Sequence, residues 1–302
     1  MRILVTGAAG MIGRPLTRRL HETGHDVVPV DPLRPDDAGD GWVQDDLADL
    51  DATVRLLARL RVERVAHAGG ISGPMVAPKD PYRVFLTNVV ASMNLLEAAR
   101  RGGIGRFVYC SSGAAYGDTE DDPVLETAPL RPMDMYAGSK AMMDTAVAVY
   151  RARYGIDVIS VRLSHVYGPG RRTDCVIRGM IGDALAGRPT ALSWGRGYAR
   201  PYCYIDDSVE GIIAALLRGP ATQAHYNIGG DQMVAIERIA ALVRENLPGA
   251  NITLGQGAPA GATRRNLPSI AAATRDFGYR PKVDISAGIA AYVAWAKAQG
   301  GV

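Results

Sequence analysis

The chain has 302 residues, of which 47% are hydrophobic and 22% are charged. This length and composition are typical of a folded enzyme with a sizeable core, in one large domain or two lobes. The net charge of +3 comes from 34 basic and 31 acidic residues that are spread along the chain. Without a basic block, neither nucleic acid nor an anionic membrane is indicated as a partner.

Three cysteines, Cys110, Cys175 and Cys203, form no CxxC pair. The odd count favours reduced thiols in a cytoplasmic protein. The first strand candidate begins at Ile3, which leaves no room for a signal peptide, and no apolar run reaches the roughly 18 residues of a membrane span. We expect no metal site.

The first two-thirds of the chain alternate short β-branched runs with helical patterns. The candidate strands are Ile3–Thr6, Val27–Val30, Val65–His67, Phe107–Ser111 and Val158–Leu163. The candidate helices are Ile12–Thr23, Thr53–Leu60, Val84–Arg101 and Met135–Arg153. Strands that are apolar on both faces and separated by helices predict an α/β fold with a doubly wound parallel sheet of the Rossmann type.

After about residue 168 the pattern loosens. Helical patterns are separated here by loops rich in glycine and proline; they are Cys175–Ala186, Ser208–Leu217, Ile236–Asn246 and Ser286–Ala298. We predict a Rossmann domain over residues 1–168 and a smaller, mainly substrate-binding lobe over residues 169–302, with some segments returning to the first domain. Such a lobe would cover the carboxyl edge of the sheet, where ligands bind in this class of fold.

A glycine motif links the first strand to the first helix. Gly7 permits a tight turn, Gly10 lets the backbone approach a pyrophosphate, and Gly13 lets the helix pack against the strand. The helix N-terminus around Met11 and Ile12 would offer free N–H groups and a partial positive charge to the phosphates. Because the motif follows a strand and opens a helix, it predicts a dinucleotide site.

The dinucleotide is predicted to be NAD rather than NADP. Asp31 ends the second strand, where a carboxylate accepts hydrogen bonds from the adenosine ribose and repels a 2′-phosphate. Arg34 lies close by and would soften this preference. The alternative for Asp31 is an ordinary cap of its own loop. Asp46 and Leu47 follow the next strand candidate and would either lie near the adenine or form an ordinary loop.

A tyrosine and a lysine, Tyr136 and Lys140, are spaced to share one face of a helix. A free tyrosine has a pKa of about 10, and a neighbouring ammonium and a positive nicotinamide would both stabilise its phenolate. Tyr136 is therefore a candidate base. Upstream, a strand runs into Ser111 and Ser112, one of which would point into the same crevice while the other bonds the backbone. Asn88 lies in a long apolar helix, where a buried amide needs a partner.

The order of these motifs resembles the extended short-chain dehydrogenase/reductase family, in the branch of UDP-galactose 4-epimerase and its NAD-dependent epimerase/dehydratase relatives. The resemblance covers nearly the whole chain. Besides the motifs above, it rests on five stretches: Asp46-Leu47, His67–Gly70, Arg162–Gly170, Arg200–Asp207 and Tyr226–Gly230.

The resemblance implies a role for several residues. Ser112 matches the catalytic serine or threonine, Tyr136 the base, and Lys140 its partner, which also holds the nicotinamide ribose. The residues implied to line the cofactor are Ala68, Gly69, Gly70 and Asn88. Family members are usually homodimers through two long helices. Here these would be Tyr82–Arg101 and Met135–Tyr154, whose extra apolar faces also fit burial within one chain.

The family's arginines hold the diphosphate of a nucleotide sugar. Arg200 matches one of them, and His165 stands where an asparagine is usual, as a substrate contact or as a packed imidazole. The second arginine has no direct match, so that Arg264 or Arg265 would substitute for it. The alternative for Arg200 is an ion pair with a carboxylate such as Asp206.

Departures from the family pattern bear on the reaction. Dehydratases carry an acidic pair after the catalytic threonine, and decarboxylating relatives carry a nearby glutamate, whereas this chain has Gly113 and Ala114 there. With no acid to protonate a leaving hydroxyl, dehydration is disfavoured. Epimerisation and net dehydrogenation remain, and both would use the same serine, tyrosine and lysine.

Three hypotheses follow. The favoured one is an NAD-dependent epimerase of a sugar, in the first place a nucleotide sugar, in which Tyr136 deprotonates a hydroxyl while hydride passes to NAD and then returns. The second is an NAD-dependent dehydrogenase of a small polyol, sugar acid or hydroxy acid. The third, an NAD-sensing regulator, is disfavoured because it need not keep Ser112, Tyr136 and Lys140 together.

Overall fold

The structure, a computed structural model, describes residues 1–301. Its strands are β1 (Arg2–Thr6), β2 (Asp26–Val30), β3 (Arg64–His67), β4 (Arg106–Ser112), β5 (Val158–Leu163), β6 (His165–Tyr167), β7 (Thr190–Arg196), β8 (Ala199–Tyr204), β9 (His225–Ile228), β10 (Met233–Ala235) and β11 (Ile252–Gln256). Its helices are α1 (Gly13–Glu22), α2 (Leu50–Leu60), α3 (Pro81–Phe85), α4 (Ala91–Arg101), α5 (Met135–Tyr154), α6 (Val176–Leu185), α7 (Ile205–Leu217), α8 (Ile236–Asn246), α9 (Ala271–Phe277) and α10 (Ile285–Ala298).

Six of these strands form one parallel sheet in the order β2-β1-β3-β4-β5-β9. One face packs into a core that includes Val5, Val108 and Val209, and the other into a core that includes Leu4 and Phe107. Because helices cover both faces, the strands are apolar on both sides. The doubly wound α/β fold is therefore confirmed, and the five predicted strands agree with β1 to β5 to within one residue at each end.

The second part of the chain lies in two places. Helix α7 packs on the central sheet, where Arg106 of β4 donates from Nη1 to the carbonyl oxygen of Ala215 at 3.0 Å. Strand β9 then extends this sheet by pairing with β5. The remaining strands form two small sheets, β10-β8-β6 and β11-β7, which together with α6, α8 and α10 make a smaller lobe.

The long helical segment after β3 contains an irregularity. Residues Leu86–Val90 form a π-helical turn that joins α3 to α4. A π turn inserts an extra residue into a helix and often occurs at functional sites. Here the inserted turn carries Asn88 with 1% of its surface exposed. Among residues 1–301, no helix has the length and apolar composition needed to cross a bilayer.

Candidate active site

The carboxyl edge of the six-stranded sheet faces the smaller lobe across a cavity of about 790 Å³. Predicted cofactor and substrate residues share this one cavity: Gly7, Gly10, Met11, Ile12, Gly13, Ala68, Gly69, Gly70, Ser112, Tyr136, Lys140, His165, Arg200 and Arg265. Six other candidates do not line it: Asp31, Arg34, Asp46, Leu47, Asn88 and Arg264.

The glycine turn is built for close backbone approach. Gly7 has a φ of +66°, and a Cβ there would lie 2.6 Å from the backbone nitrogen of Gly69. A Cβ on Gly13 would lie 2.0 Å from the carbonyl oxygen of Gly7. Met11, Ile12 and Gly13, at the start of helix α1, line the cavity, and the first turn of this helix carries no acidic residue that would compete with a phosphate. These features fit the pyrophosphate of a dinucleotide.

Asp31 buttresses this turn. Its carboxylate accepts hydrogen bonds from the N–H of Ala9 at 3.1 Å and from the N–H of Leu33 at 2.9 Å. The Asp31 carboxylate therefore both caps its own loop and lies beside the glycine turn. Its contact with a ribose stays a prediction. Arg34 is exposed, and its guanidinium faces the carbonyl oxygens of Ala38 and Gly39 at 3.5 and 3.4 Å.

Asp46 and Leu47 both belong to a loop. Asp46 is exposed and accepts a hydrogen bond from the N–H of Ala48 at 3.0 Å. Leu47 is buried with a φ of +60°, and its carbonyl oxygen accepts from Asn94 at 3.0 Å. These are the loop roles that the sequence allowed as an alternative, and a contact with adenine stays a prediction.

The serine and the tyrosine–lysine pair meet at the end of β4. Ser112 caps the 3-10 turn Gly113–Tyr116 by accepting a hydrogen bond from Ala114 at 3.1 Å. Helix α5 begins one residue before Tyr136, where Asp134 accepts from the N–H of Ala137 at 2.8 Å. One turn further, the buried Lys140 donates from Nζ to the carbonyl oxygen of Cys110 at 2.8 Å. Burial lowers the pKa of Lys140 to about 8.

Burial raises the pKa of Tyr136 in the chain by itself. The hydroxyls of Ser112 and Ser72 oppose this rise because they stabilise the phenolate, as does the guanidinium of Arg265. The sequence led us to expect a lowered pKa for Tyr136, but that expectation applies to a phenol that lies beside both Lys140 and a bound nicotinamide. Sequence reasoning did not single out Ser72, although it follows His67–Gly70 closely at the same edge of the sheet.

Asn88 lies behind the residues that line the cavity. Its Oδ1 accepts from the N–H of Ile71 at 2.7 Å, and its Nδ2 donates to the carbonyl oxygen of Ile71 and to Oγ of Ser139, both at 3.0 Å. The buried amide thus fastens the loop after β3 to α5. Its side chain is enclosed and does not line the cavity, and the expected contact of Asn88 with the cofactor stays a prediction.

Two guanidiniums face the cavity from different segments. Arg200 on β8 lies over the ring of Tyr198, with Cζ 5.1 Å from the ring centroid. Arg265 is anchored through Nε to Oγ1 of Thr263 at 2.9 Å. Within residues 1–301 neither guanidinium forms a salt bridge with a carboxylate. Asp206 pairs instead with Arg19 at 3.0 Å, so that the alternative of an Arg200–Asp206 pair is wrong.

The structure also separates the two arginines that sequence left equivalent. Arg264 is exposed, and its backbone N–H donates to Oδ1 of Asp118 at 2.7 Å while its carbonyl oxygen accepts from Thr119 at 2.9 Å. This backbone pairing turns the next side chain, that of Arg265, into the cavity. Of the two arginines, only Arg265 lines the cavity, and its role in place of the family's second arginine stays a prediction.

His165 lies at the end of the cavity formed by the smaller lobe. Its ring packs edge-on against the ring of Tyr202, with the two ring centroids 5.0 Å apart. Its Nε2 lies 3.9 Å from Sγ of Cys175. Burial, followed by the charges of Arg171, Arg200 and Arg265, lowers its pKa to about 3. His165 is therefore a neutral imidazole at neutral pH, and it is both packed and open to the cavity.

A Rossmann sheet that carries this glycine turn and a Ser112, Tyr136 and Lys140 set defines an NAD-dependent enzyme of the extended short-chain dehydrogenase/reductase type. A family model described as NAD dependent epimerase/dehydratase family matches residues 3–229, and the chain belongs to that family. NAD is accordingly its cofactor.

Relatives of two kinds align over nearly the whole chain. A dTDP-glucose 4,6-dehydratase of Streptomyces griseus is 32% identical, with 97% of this chain and 93% of the relative covered. The solved UDP-glucose 4-epimerase of Thermus thermophilus in complex with NAD is 30% identical, with 98% of each chain covered and a TM-score of 0.86. The UDP-glucose 4-epimerase of Thermotoga maritima with UDP-glucose is 25% identical, with 99% of each chain covered and a TM-score of 0.91.

Proposed function

We propose that this enzyme epimerises a nucleotide sugar. The observation that carries the proposal is the pair of cavity-facing guanidiniums, Arg200 and Arg265, which lack a carboxylate partner within residues 1–301. A guanidinium forms bidentate, charge-assisted hydrogen bonds with a phosphate. Two guanidiniums that face the same cavity suit a diphosphate, and similar epimerases have been solved with NAD or with UDP-glucose.

The chain's own residues divide the work as follows. The Ser112 hydroxyl orients the reacting hydroxyl of the sugar, the Tyr136 phenolate accepts its proton, and the Lys140 ammonium holds the base and the nicotinamide ribose in one geometry. Bound NAD would supply the acceptor, and on its return the donor, of the hydride. The smaller lobe faces the sheet across the cavity and would cover the bound sugar.

Dehydration is disfavoured in this proposal because Gly113 and Ala114 place no acid beside Ser112. The carboxylates that line the cavity lie elsewhere. Asp134 caps α5, Asp183 accepts a hydrogen bond from Arg188 at 2.8 Å, and Asp174 is exposed. A leaving hydroxyl next to Ser112 would thus lack a proton donor of the kind that the resemblance associates with dehydratases.

The test is a panel of UDP-sugars and dTDP-sugars incubated with enzyme and NAD. An epimerase converts a sugar to its epimer while the absorbance of NADH stays flat, because the hydride is returned. Accumulation of NADH with a smaller polyol or sugar acid would instead support the dehydrogenase. A product lighter by one water would show a dehydratase and contradict the proposal.

We also propose that the enzyme is a homodimer through α5 and the helical segment α3–α4. These helices carry large apolar side chains that are 42–68% exposed, namely Tyr82, Leu86, Met142, Val149 and Tyr154. Several exposed apolar side chains on neighbouring helices indicate an interface rather than solvated surface. A pair of such helices from each subunit would form a four-helix contact.

A further inference from the structure

His67, the last residue of β3, is a buried polar side chain that does not line the cavity. The residue is 3% exposed. Its ring packs against the rings of Phe107 and Tyr109 on β4, with the ring centroids 6.1 and 5.6 Å away. A polar group in such surroundings destabilises the fold unless its nitrogens have hydrogen-bond partners.

Both nitrogens of the ring have a hydroxyl partner, and the two partners belong to different elements. Nδ1 lies 2.5 Å from Oγ1 of Thr6, which pairs with His67 in register at the carboxyl end of β1. Nε2 lies 2.8 Å from Oγ of Ser92 on α4. Thr6 and Ser92 are themselves buried, with 2% and 0% of their surface exposed. The imidazole thus bridges the end of β1 to α4.

The bridging imidazole is neutral at neutral pH. Burial, followed by the charge of Lys140, lowers the pKa of His67 to about 3. A neutral ring has one donor and one acceptor nitrogen, and a hydroxyl can act as either. Thr6 and Ser92 therefore bind the ring whichever nitrogen carries the proton.

Thr6 extends the bridge to two segments of the cavity wall. Its Oγ1 also accepts a hydrogen bond from the backbone N–H of Gly69 at 3.2 Å. Thr6 directly precedes Gly7, where a Cβ would lie 2.6 Å from the backbone nitrogen of Gly69. The glycine turn and the loop after β3 are thus in backbone contact, and the hydroxyl of Thr6 joins them.

We propose that His67 is a positioning residue for NAD, which acts through the hydroxyl of Thr6. By fixing this hydroxyl, the imidazole sets the approach of the glycine turn to the loop Ala68–Gly70. Both segments line the cavity at the carboxyl edge of the sheet, where a dinucleotide binds in this class of fold. The proposal depends neither on the identity of the sugar nor on the reaction.

The consequence concerns the affinity for NAD. Without the bond from the ring, the Thr6 hydroxyl is free to rotate away from Gly69, and the two segments hold their relative position less of the time. A site whose competent geometry is populated less binds its ligand more weakly in the same proportion. The bond to Ser92, in contrast, lies on the side of α4, and Ser92 does not line the cavity.

Asparagine and glutamine separate the two halves of the bridge. An asparagine amide lies at the position of Nδ1, since both groups are bonded to Cγ, whereas a glutamine amide reaches the position of Nε2. His67→Asn therefore keeps a partner for Thr6, and His67→Gln keeps a partner for Ser92. Each variant removes one buried hydrogen bond, so both should be less stable than the wild type in urea denaturation.

The experiment is calorimetric titration of NAD into His67→Asn, His67→Gln and the wild type, without sugar. We expect His67→Gln to bind NAD roughly tenfold more weakly, the change that corresponds to about 1.4 kcal/mol. His67→Asn should stay within about threefold of the wild type despite its lower stability. Ser208→Ala is the matched control, because it removes an equally buried hydroxyl on α7 that bonds the carbonyl oxygen of Tyr204. It should lose stability and keep its NAD affinity.

The proposal is overturned if His67→Gln binds NAD at least as tightly as His67→Asn, whether the two affinities are unchanged or both reduced. A merely structural histidine would give that result, since its effect would follow stability alone. If either variant does not fold, Thr6→Val and Thr6→Ser repeat the comparison. Thr6→Val lacks the hydroxyl and should bind NAD roughly tenfold more weakly than Thr6→Ser, and equal affinities would overturn the proposal. Because no sugar is present, the proposed epimerase can fail independently.

Discussion

The ammonium of Lys140 on α5 donates a hydrogen bond to the carbonyl oxygen of Cys110 on β4, at 2.8 Å. It also lies over the ring of Tyr109, with Nζ 4.7 Å from the centroid. These contacts join the helix that carries Tyr136 to the strand that ends in Ser112. They also enclose a charge, which is why the pKa of Lys140 is lowered from 10.5 to about 8.

Lys140→Met should therefore stabilise the fold at neutral pH. The folded chain binds fewer protons than the unfolded chain between pH 8 and 10.5, so wild-type stability rises with pH across that window and is reduced below it. We expect the free energy of unfolding of the variant at pH 7 to rise by a net amount on the order of 1–2 kcal/mol. This net gain already allows for a loss of about 1 kcal/mol from the missing hydrogen bond. The gain should disappear above about pH 10.5.

Urea denaturation at pH 7 and at pH 10.5 measures this difference, with the exposed Lys297→Met as the control that should show no gain. The same Lys140→Met protein should bind NAD more weakly and lose activity. If Lys140→Met were less stable than the wild type at pH 7, the buried Lys140 ammonium would not destabilise the fold.

Tyr136→Phe should keep the fold and NAD affinity but lose activity by at least roughly 100-fold, the contribution ascribed to general acid–base catalysis. The hydroxyl is the only group that the change removes, and the ring of Phe fills the same space. Steady-state turnover and NAD calorimetry test the two parts. Tyr154→Phe on the same helix, where the ring is 57% exposed, serves as the control. Near-normal turnover in Tyr136→Phe would exclude it as the base.

NAD should bind at least tenfold more tightly than NADP. The Asp31 carboxylate beside the glycine turn would accept charge-assisted hydrogen bonds from the ribose, worth about 1.5–3 kcal/mol, and would repel a 2′-phosphate. Calorimetric titration of both cofactors measures the ratio. Arg34→Ala should raise this ratio, because the exposed guanidinium close to Asp31 would otherwise attract a 2′-phosphate. Equal or tighter NADP binding would contradict the assignment of Asp31.

Arg200→Ala and Arg265→Ala should each weaken binding of UDP by roughly 30-fold or more. Each guanidinium–phosphate pair is taken as about 2–4 kcal/mol in a partly desolvated cavity, and 1.4 kcal/mol corresponds to tenfold. Arg264→Ala is the matched control, since this neighbouring side chain is exposed and outside the cavity. Calorimetry with UDP and dTDP gives the values. If neither binds the wild type at millimolar concentration, the dehydrogenase hypothesis takes first place.

Val149→Arg should convert a dimer into monomers of 32.1 kDa. Val149 is 46% exposed on α5, and an arginine in an apolar helix contact would leave a charge unpaired. Sedimentation equilibrium measures the mass. Leu33→Arg, which introduces the same charge at a side chain that is 65% exposed and lies outside these helices, should leave the mass unchanged. A wild-type mass of one chain would refute the dimer.

The sequence by itself determined the features of this protein that depend on periodic patterns of apolar residues or on residues close together in the chain. Strands β1 to β5 could be predicted because burial on both faces makes them continuously apolar, and α1 because its apolar residues recur with the period of a helix. The glycine turn could be read from Gly7 and Gly13, because backbone atoms lie where their Cβ atoms would be. The spacing of Tyr136 and Lys140 likewise placed both on one helix face.

Only the tertiary structure decided which side chains outside these elements enter the cavity. Strands β7 and β11 and helix α9 lie in the second part of the chain, where the periodic pattern is loose, so the sequence did not identify them. Arg265 rather than Arg264 lines the cavity because the backbone of Arg264 pairs with Asp118 and Thr119, well over a hundred residues earlier in the chain. Ser72 lines the cavity in a loop that Asn88 holds through the backbone of Ile71. Hydrogen bonds between such distant segments leave no local pattern, since each depends on the packing of the whole chain.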